Sequence, residues 1–245
     1  QEMIDNGEIK ADEAVIGYVG AYTFAEVISG YTAFFLGAQS VCPSATMMVE
    51  FIGSWGDPTM EANAAQDLID KGAVLISQHS DSTTPATTAQ KNGVYHVGYN
   101  LDMSDVAQDA SIVSSRIDWT NYMVYVIETI VNGGKVEQDY KQHGYADGDV
   151  KLTDLNENVA AAGTADKLAE VEAALADGSL QVFDTSKFTV GGKELKSAFA
   201  LDTDGDFTPD KEEAVFDGAF HESYFQSAPY FAQRIDGITL LNEEY

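Results

Sequence analysis

The sequence predicts an open, doubly wound α/β fold on a mostly parallel sheet. Two observations carry that expectation. Short apolar runs rich in branched residues recur through the first half, as expected for strands buried on both faces. Between them lie longer segments with apolar residues at helical spacing, and strands alternating with helices in this way build βαβ units.

The elements follow in chain order. Residues 14–19 (AVIGYV) form the first expected strand and 20–24 a turn. Residues 24–40 then repeat Val27, Ile28, Tyr31, Phe34, Phe35 and Ala38 at helical period. Residues 46–52 (TMMVEFI) are the second strand. Asp57 is a good N-cap and Pro58 suits the first helical position. That helix is expected to reach about Lys71, with Gly72 ending it. Residues 73–77 (AVLIS) are the third strand, and a polar turn leads into a helix ending near Asn92. Strands follow at 94–98 and 112–115, then a helix over 119–131 stopped by Asn132-Gly133-Gly134. The second half is sparser. It offers a strand at 150–153, a helix over 156–175 ended by Gly178, and strands at 180–183 and 188–190 beside a Gly191-Gly192 turn. Its tail, 219–242, is rich in Tyr, Phe and Ile.

In such sheets the ligand crevice lies at the carboxyl ends of the strands. The residues just after successive strands are Tyr22 and Phe24, Trp55 and Asp57, His79 and Asp81, Asn100 and Asp102, and Arg116 and Trp119. One sheet edge therefore gathers aromatics and hydrogen-bonding side chains. Trp55, flanked by Gly53 and Gly56, is placed to stack on a flat heterocycle, a contact of about 1–3 kcal/mol in nucleobase systems. The alternative is a partly buried loop aromatic. His79 and Asp81 share a turn with Ser80, Ser82 and Thr83, which suits either ligand contact or a helix cap.

Composition narrows the function. Forty Asp and Glu face thirteen Lys and Arg, a formal net charge of -27. A polyanion repels nucleic acids and anionic lipid surfaces, so nucleic-acid binding is disfavoured and solubility is the plain role of the charge. The single cysteine, Cys42, permits no intrachain disulfide and reads as a small buried residue rather than a nucleophile. No apolar run is long enough to span a bilayer. The chain has no Gly-x-Ser-x-Gly elbow, Walker loop or His-Glu-x-x-His motif. Its histidines, His79, His96, His143 and His221, lack metal-ligand spacing, and His96 within a strand reads as structural. The expectation is therefore no enzyme and no cofactor. A hydrolase using Asp81 and His79 is the weaker alternative, because no nucleophile-base-orienter set accompanies them. One acidic loop invites calcium: Asp202, Asp204, Asp206, Asp210 and Glu213 fall at EF-hand oxygen positions. Phe207 stands where that loop needs glycine, so a solvated acidic loop is the competing reading.

Four stretches in this order carry a resemblance: 16–20, Phe-Ile-Gly-Ser-Trp-Gly-Asp-Pro at 51–58, Ile-Ser-Gln-His-Ser-Asp-Ser at 76–82, and Gly-Val-Tyr-His-Val-Gly-Tyr-Asn-Leu-Asp-Met at 93–103. They resemble the basic membrane protein family, substrate-binding lipoproteins of ABC importers whose members bind purine nucleosides or, in one branch, free purine bases. The turns at Trp55 and at Gln78 to Ser82 are closer to the purine-base branch. The likeness covers roughly 13–135, and 180–183 more loosely. It implies a two-lobed, periplasmic-binding-protein fold, with a complete α/β lobe over 13–125 and a C-terminal part, 126–245, belonging to another, partial lobe. The family has a further strand-helix portion before the segment matching Gln1, so a fragment is expected. By position the resemblance puts Trp55, His79, Asp81, Asn100 and Trp119 on cleft-facing turns. Nucleoside receptors of the family carry Asp where Asn100 stands and a Lys near Ser115 or Arg116. Both departures disfavour a nucleoside and leave a base or another flat heterocycle. The implied function is an extracytoplasmic solute receptor, lipid-anchored in the full-length protein and monomeric. It would capture a purine base or nucleoside between two lobes and work with a membrane permease. A ligand-sensing regulatory module of the same fold is the alternative.

Overall fold

Alternation along β1 (Val15–Gly20) sets the two layers of the molecule. Ile16 and Tyr18 enter one apolar cluster and Val19 enters another, as period-2 side chains must when both sheet faces are covered. The computed structural model describes residues 1–140, 143–200 and 211–243. In it, β1 pairs in parallel with β2 (Thr46–Phe51) on one side and β3 (Leu75–Gln78) on the other. β4 (Tyr95–Tyr99) and β5 (Ser111–Ile117) extend the sheet in parallel beyond β3. β6 (Val150–Leu152) adds antiparallel to β5, and β9 (Ile238–Leu240) adds parallel to β2. The seven-stranded order is β6-β5-β4-β3-β1-β2-β9. Residues beyond 125 thus supply both edge strands.

α2 (Ala25–Val41) covers one face and α3 (Pro58–Asp70) with α4 (Thr84–Asn92) the other, as right-handed crossovers require when the path across the sheet reverses after β2. α2 buries Val27, Ile28, Tyr31 and Phe35 against Ile16, Tyr18, Met47, Val49 and Phe51. α3 buries Ala64, Ala65 and Leu68 against Val19 and Ile76, with Ala89 of α4. Gly17 permits that approach, since a Cβ there would lie 2.7 Å from Ile76 Cδ1 and 2.9 Å from Leu68 Cβ. Asp57 caps α3 as expected: its Oδ1 accepts from the Thr59 and Met60 amides at 3.0 Å each. The strands and helices expected over the first half are all present, and Cys42 is buried.

The second half departs from expectation. α6 (Thr164–Ala176) starts eight residues later than the 156–175 pattern suggests. Asn156 instead turns its side chain to the Gln108 and Ser111 carbonyls at 2.8 and 2.9 Å, a local bonding choice that competes with helix. The runs 180–183 and 188–190 are not strands. Phe183 and Phe188 are single anchors that pack with Phe220, Tyr230, Phe231 and Ile235 over the α2 face. Phe183 stacks on Phe231 at 4.4 Å. An isolated bridge, Val190 to Lys193, closes the Gly191-Gly192 turn. A short helix α1 (Glu2–Asp5) opens the chain, and β7 (Val215–Phe216) pairs with β8 (Ala219–Phe220). α5 (Thr120–Val131) buries none of its residues. No helix among the described residues is long and apolar enough to cross a membrane.

Candidate functional site

The order β2-β1-β3-β4-β5 places a topological switch point between β1 and β3, the place where connecting loops part in such sheets and ligands bind at the carboxyl edge. Tyr22 and Phe24 follow β1, Trp55 follows β2, and His79 and Asp81 follow β3, so these residues flank that point. Their rings are contiguous. Tyr22 and Phe24 stack with centroids 5.0 Å apart, and Trp55 meets Tyr22 edge-on at 5.3 Å and Phe24 at 6.3 Å. His79 lies 6.3 Å from Trp55 and 4.3 Å from Tyr99, the last residue of β4. The Asp81 amide donates to the Trp55 carbonyl at 2.7 Å, so residues 55 and 81 sit side by side on one edge of the sheet. Phe24 is 53% and Trp55 37% exposed, leaving aromatic surface open to a ligand.

The loop carrying His79 and Asp81 is held from inside the sheet. Gln78 is buried, and its Nε2 donates to the Ser80 and Ser82 carbonyls at 2.7 and 2.8 Å. Its Oε1 is therefore the acceptor facing His96 Nε2 at 3.1 Å, which must carry the proton. His96 Nδ1 then accepts from the Ser111 hydroxyl at 3.3 Å. Burial pushes the His96 imidazole down to about 3, so this chain of bonds stays neutral. From the α3 side, the Ser82 hydroxyl donates to Glu61 Oε2. Glu61 is itself fully buried, and burial raises its carboxyl above the usual range. The structural reading of His96 holds. Gln78 and Glu61 were not foreseen as supports, although a glutamine closing an apolar strand is a readable signal.

His79 is only 5% exposed, and neither ring nitrogen has a hydrogen-bond partner among the described residues. Its Nε2 lies 3.7 Å from Oε1 of Glu26 in the first turn of α2. The neighbouring His79 imidazole holds the Glu26 carboxyl below the usual carboxylate range. Tyr99 feels the same carboxylate: burial first, then Glu26, raises its hydroxyl.

Other expected site residues lie farther along the edge. Asn100 follows Tyr99 in the left-handed region, φ 62°, and its amide donates to the Ser115 carbonyl at 2.6 Å. Its side-chain oxygen accepts from the Ile117 amide at 3.4 Å, tying β4 to β5. Trp119 is not brought into the ring cluster. It contacts Tyr122 at 5.9 Å, and Tyr122 continues into Tyr125, Tyr140 and His143 along α5 and the following loop. Of the calcium candidates, Asp202, Asp204, Asp206 and Asp210 lie outside the described residues. Glu213 is described, and its Oε1 accepts the Ala198 and Val215 amides at 2.9 and 3.0 Å, clamping a turn. Among the described residues no three His, Cys, Asp or Glu are grouped to hold a metal.

Comparison with known proteins follows this geometry. The family model described as ABC transporter substrate-binding protein PnrA-like matches residues 9–179. A purine-binding protein of Brucella abortus is 34% identical over 175 residues, covering 70% of this chain and 48% of that protein. A putative ABC transporter glucose-binding protein of Haloferax volcanii is 33% identical over 173 residues, covering 71% of this chain and 44% of that protein. The chain spans about half the length of the curated relatives it matches. Among solved structures, an ABC transporter solute-binding protein from Conexibacter woesei shares the fold with a TM-score of 0.54 at 20% identity, over 69% of this chain and 56% of that one.

Proposed function

We propose, from the premise that the chain belongs to the PnrA-like ABC transporter substrate-binding protein family, that its carboxyl-edge ring cluster is one wall of a cleft that captures a purine base or nucleoside. The observation that carries this reading is the contiguous set Tyr22, Phe24, Trp55 and His79 at the switch point, with Asp81 bonded to the Trp55 backbone. A heteroaromatic ring lies flat on the open indole while Asp81 accepts its N–H groups. A second lobe closing over this wall removes water, and a polar group left unpaired there costs about 1–3 kcal/mol, so the ligand's hydrogen-bond pattern is discriminated. The name of the Brucella relative supports the purine. In the whole protein the receptor is an extracytoplasmic, lipid-anchored monomer that hands its ligand, unchanged, to a membrane permease.

Thermal unfolding with adenine, guanine, hypoxanthine, adenosine and glucose tests the reading. A ligand at about one hundred times its Kd adds about 2.7 kcal/mol, a Tm rise of roughly 5–10 °C in a chain of this size. A rise with a purine and none with glucose supports the proposal. A rise with glucose alone, or with none of the purines, overturns it.

A further inference from the structure

We propose that Glu26 is a ligand-recognising carboxylate of this cleft, held in place by His79, and that it restricts the site to uncharged rings with outward N–H or O–H donors while rejecting anionic derivatives such as ring phosphates. The inference rests on the reading of the cluster as a ring-binding wall and names its polar discriminator.

Glu26 stands two residues after Phe24, in the first turn of α2, so it leaves β1 on the same connection as the stacked rings. Its side chain is 51% exposed, and its charged-pair contact is with His79, whose Nε2 lies 3.7 Å from Oε1. Beside it lies the buried His79 ring, whose nitrogens have no hydrogen-bond partner among the described residues. A polar ring buried without partners calls for an explanation. The ring is fixed by its surroundings. Tyr99 packs at 4.3 Å, and Gly30 of α2 leaves the space that Nδ1 needs, since a Cβ there would stand 2.8 Å away. Nε2 is thereby directed to within 3.7 Å of Glu26 Oε1. That edge gives the carboxylate a fixed neighbour without consuming its lone pairs in a short bond. With Asp81 on the adjoining loop, the cleft presents two acceptors beside an aromatic face, and the cluster residues include no Lys or Arg. A base or sugar ring offers donors to such acceptors; a phosphate is repelled by them.

A glutamate in the first turn of a helix also favours the helix dipole. That role alone predicts a small loss of stability and no change in ligand choice, so the two are separable. Isothermal titration of the full chain compares adenosine with adenosine monophosphate and glucose with glucose 6-phosphate. The unphosphorylated member of one pair is expected to bind and its phosphate not. Glu26→Gln is expected to weaken that binding by roughly 10- to 100-fold, the span of a charge-assisted hydrogen bond, and Glu26→Lys to erode the discrimination against the phosphate. His79→Phe keeps the ring packing and removes the nitrogens. It is expected to weaken binding, and the double variant with Glu26→Gln to bind no worse than Glu26→Gln alone, a non-additivity that lost packing does not produce. An affinity within about threefold of wild type in Glu26→Gln, or equal binding of ring and ring phosphate by wild type, overturns the role of Glu26 while leaving the ring-binding wall standing. Binding of neither adenine nor any of these four ligands by wild type overturns both.

Discussion

Replacing Gln78 with methionine tests whether the binding loop is held from within the sheet. Methionine keeps the length and burial of the side chain and removes its amide. Three groups then lose a partner: the Ser80 and Ser82 carbonyls lose their donor, and His96 Nε2 loses its acceptor. Each buried polar group left unpaired costs about 1–3 kcal/mol. The two loop carbonyls can turn to water when the loop opens, whereas His96 is fully buried and stays unpaired. The expected loss is therefore about 2–5 kcal/mol, nearer the lower end if the loop relaxes. Urea unfolding measures it. Hydrogen exchange locates it, because the His79 and Asp81 amides donate to the Val19 and Trp55 carbonyls and lose protection as the loop loosens. A stability loss below about 1 kcal/mol with protection at both amides unchanged refutes the reasoning.

Three further outcomes are expected. Trp55→Ala lowers ligand affinity by about 1–3 kcal/mol while Trp55→Phe retains most of it, measured by titration calorimetry; equal affinity in all three proteins removes the indole from the site. Glu50 in β2 is pushed up to about 7 from 4.5 by burial and by the neighbouring Asp67 carboxylate. A raised acid favours the fold when protonated, so this contribution is present below about pH 4.5 and is lost as pH rises through about 7. Glu50→Gln should then be more stable than wild type at pH 8, by about 1 kcal/mol after allowing for solvent and the nearby Lys71, and no more stable at pH 4; the same difference at both pH values refutes it. Finally, repulsion within a chain of net charge -27 is screened as the Debye length falls from about 10 Å at 0.1 M salt to about 3 Å at 1 M. A Tm gain of about 2–4 °C or more is expected with added potassium chloride, as is usual for 1 kcal/mol in a chain of this size, and a flat or falling Tm contradicts it.

How far the fold is legible depends on what kind of signal each part leaves. β1 through β5 are short branched runs cut by polar turns, and each intervening helix announces itself by period or by a cap such as Asp57. The rings anchored by Phe183, Phe188 and Phe231 leave no period, because single aromatics dropped onto the α2 face from irregular chain need no ladder and no helical stripe. The runs around Phe183 and Phe188 therefore resemble strands in sequence without pairing as strands.

The site divides along the same physical line. Knowing that a residue trails a parallel strand fixes the edge on which it stands, but not its place along that edge. That place comes from the order of strands, and chain order and sheet order differ here. β1, first in the chain, lies between β2 and β3, so Tyr22, Trp55 and His79 converge although the stretches that carry them are separated by dozens of residues. β5 lies two strands beyond β3, about 10 Å away at the usual spacing of 4.7–4.9 Å per strand. Trp119 trails β5, and its ring meets Tyr122 instead. Tyr99 closes β4, only one strand from β3, and its ring reaches His79 at 4.3 Å. Glu26 is hidden from sequence reading for another reason: an acidic residue in a first helical turn already has an explanation in the helix dipole. Only the fold, by bringing the buried His79 ring to 3.7 Å from that carboxylate, gives it a second one.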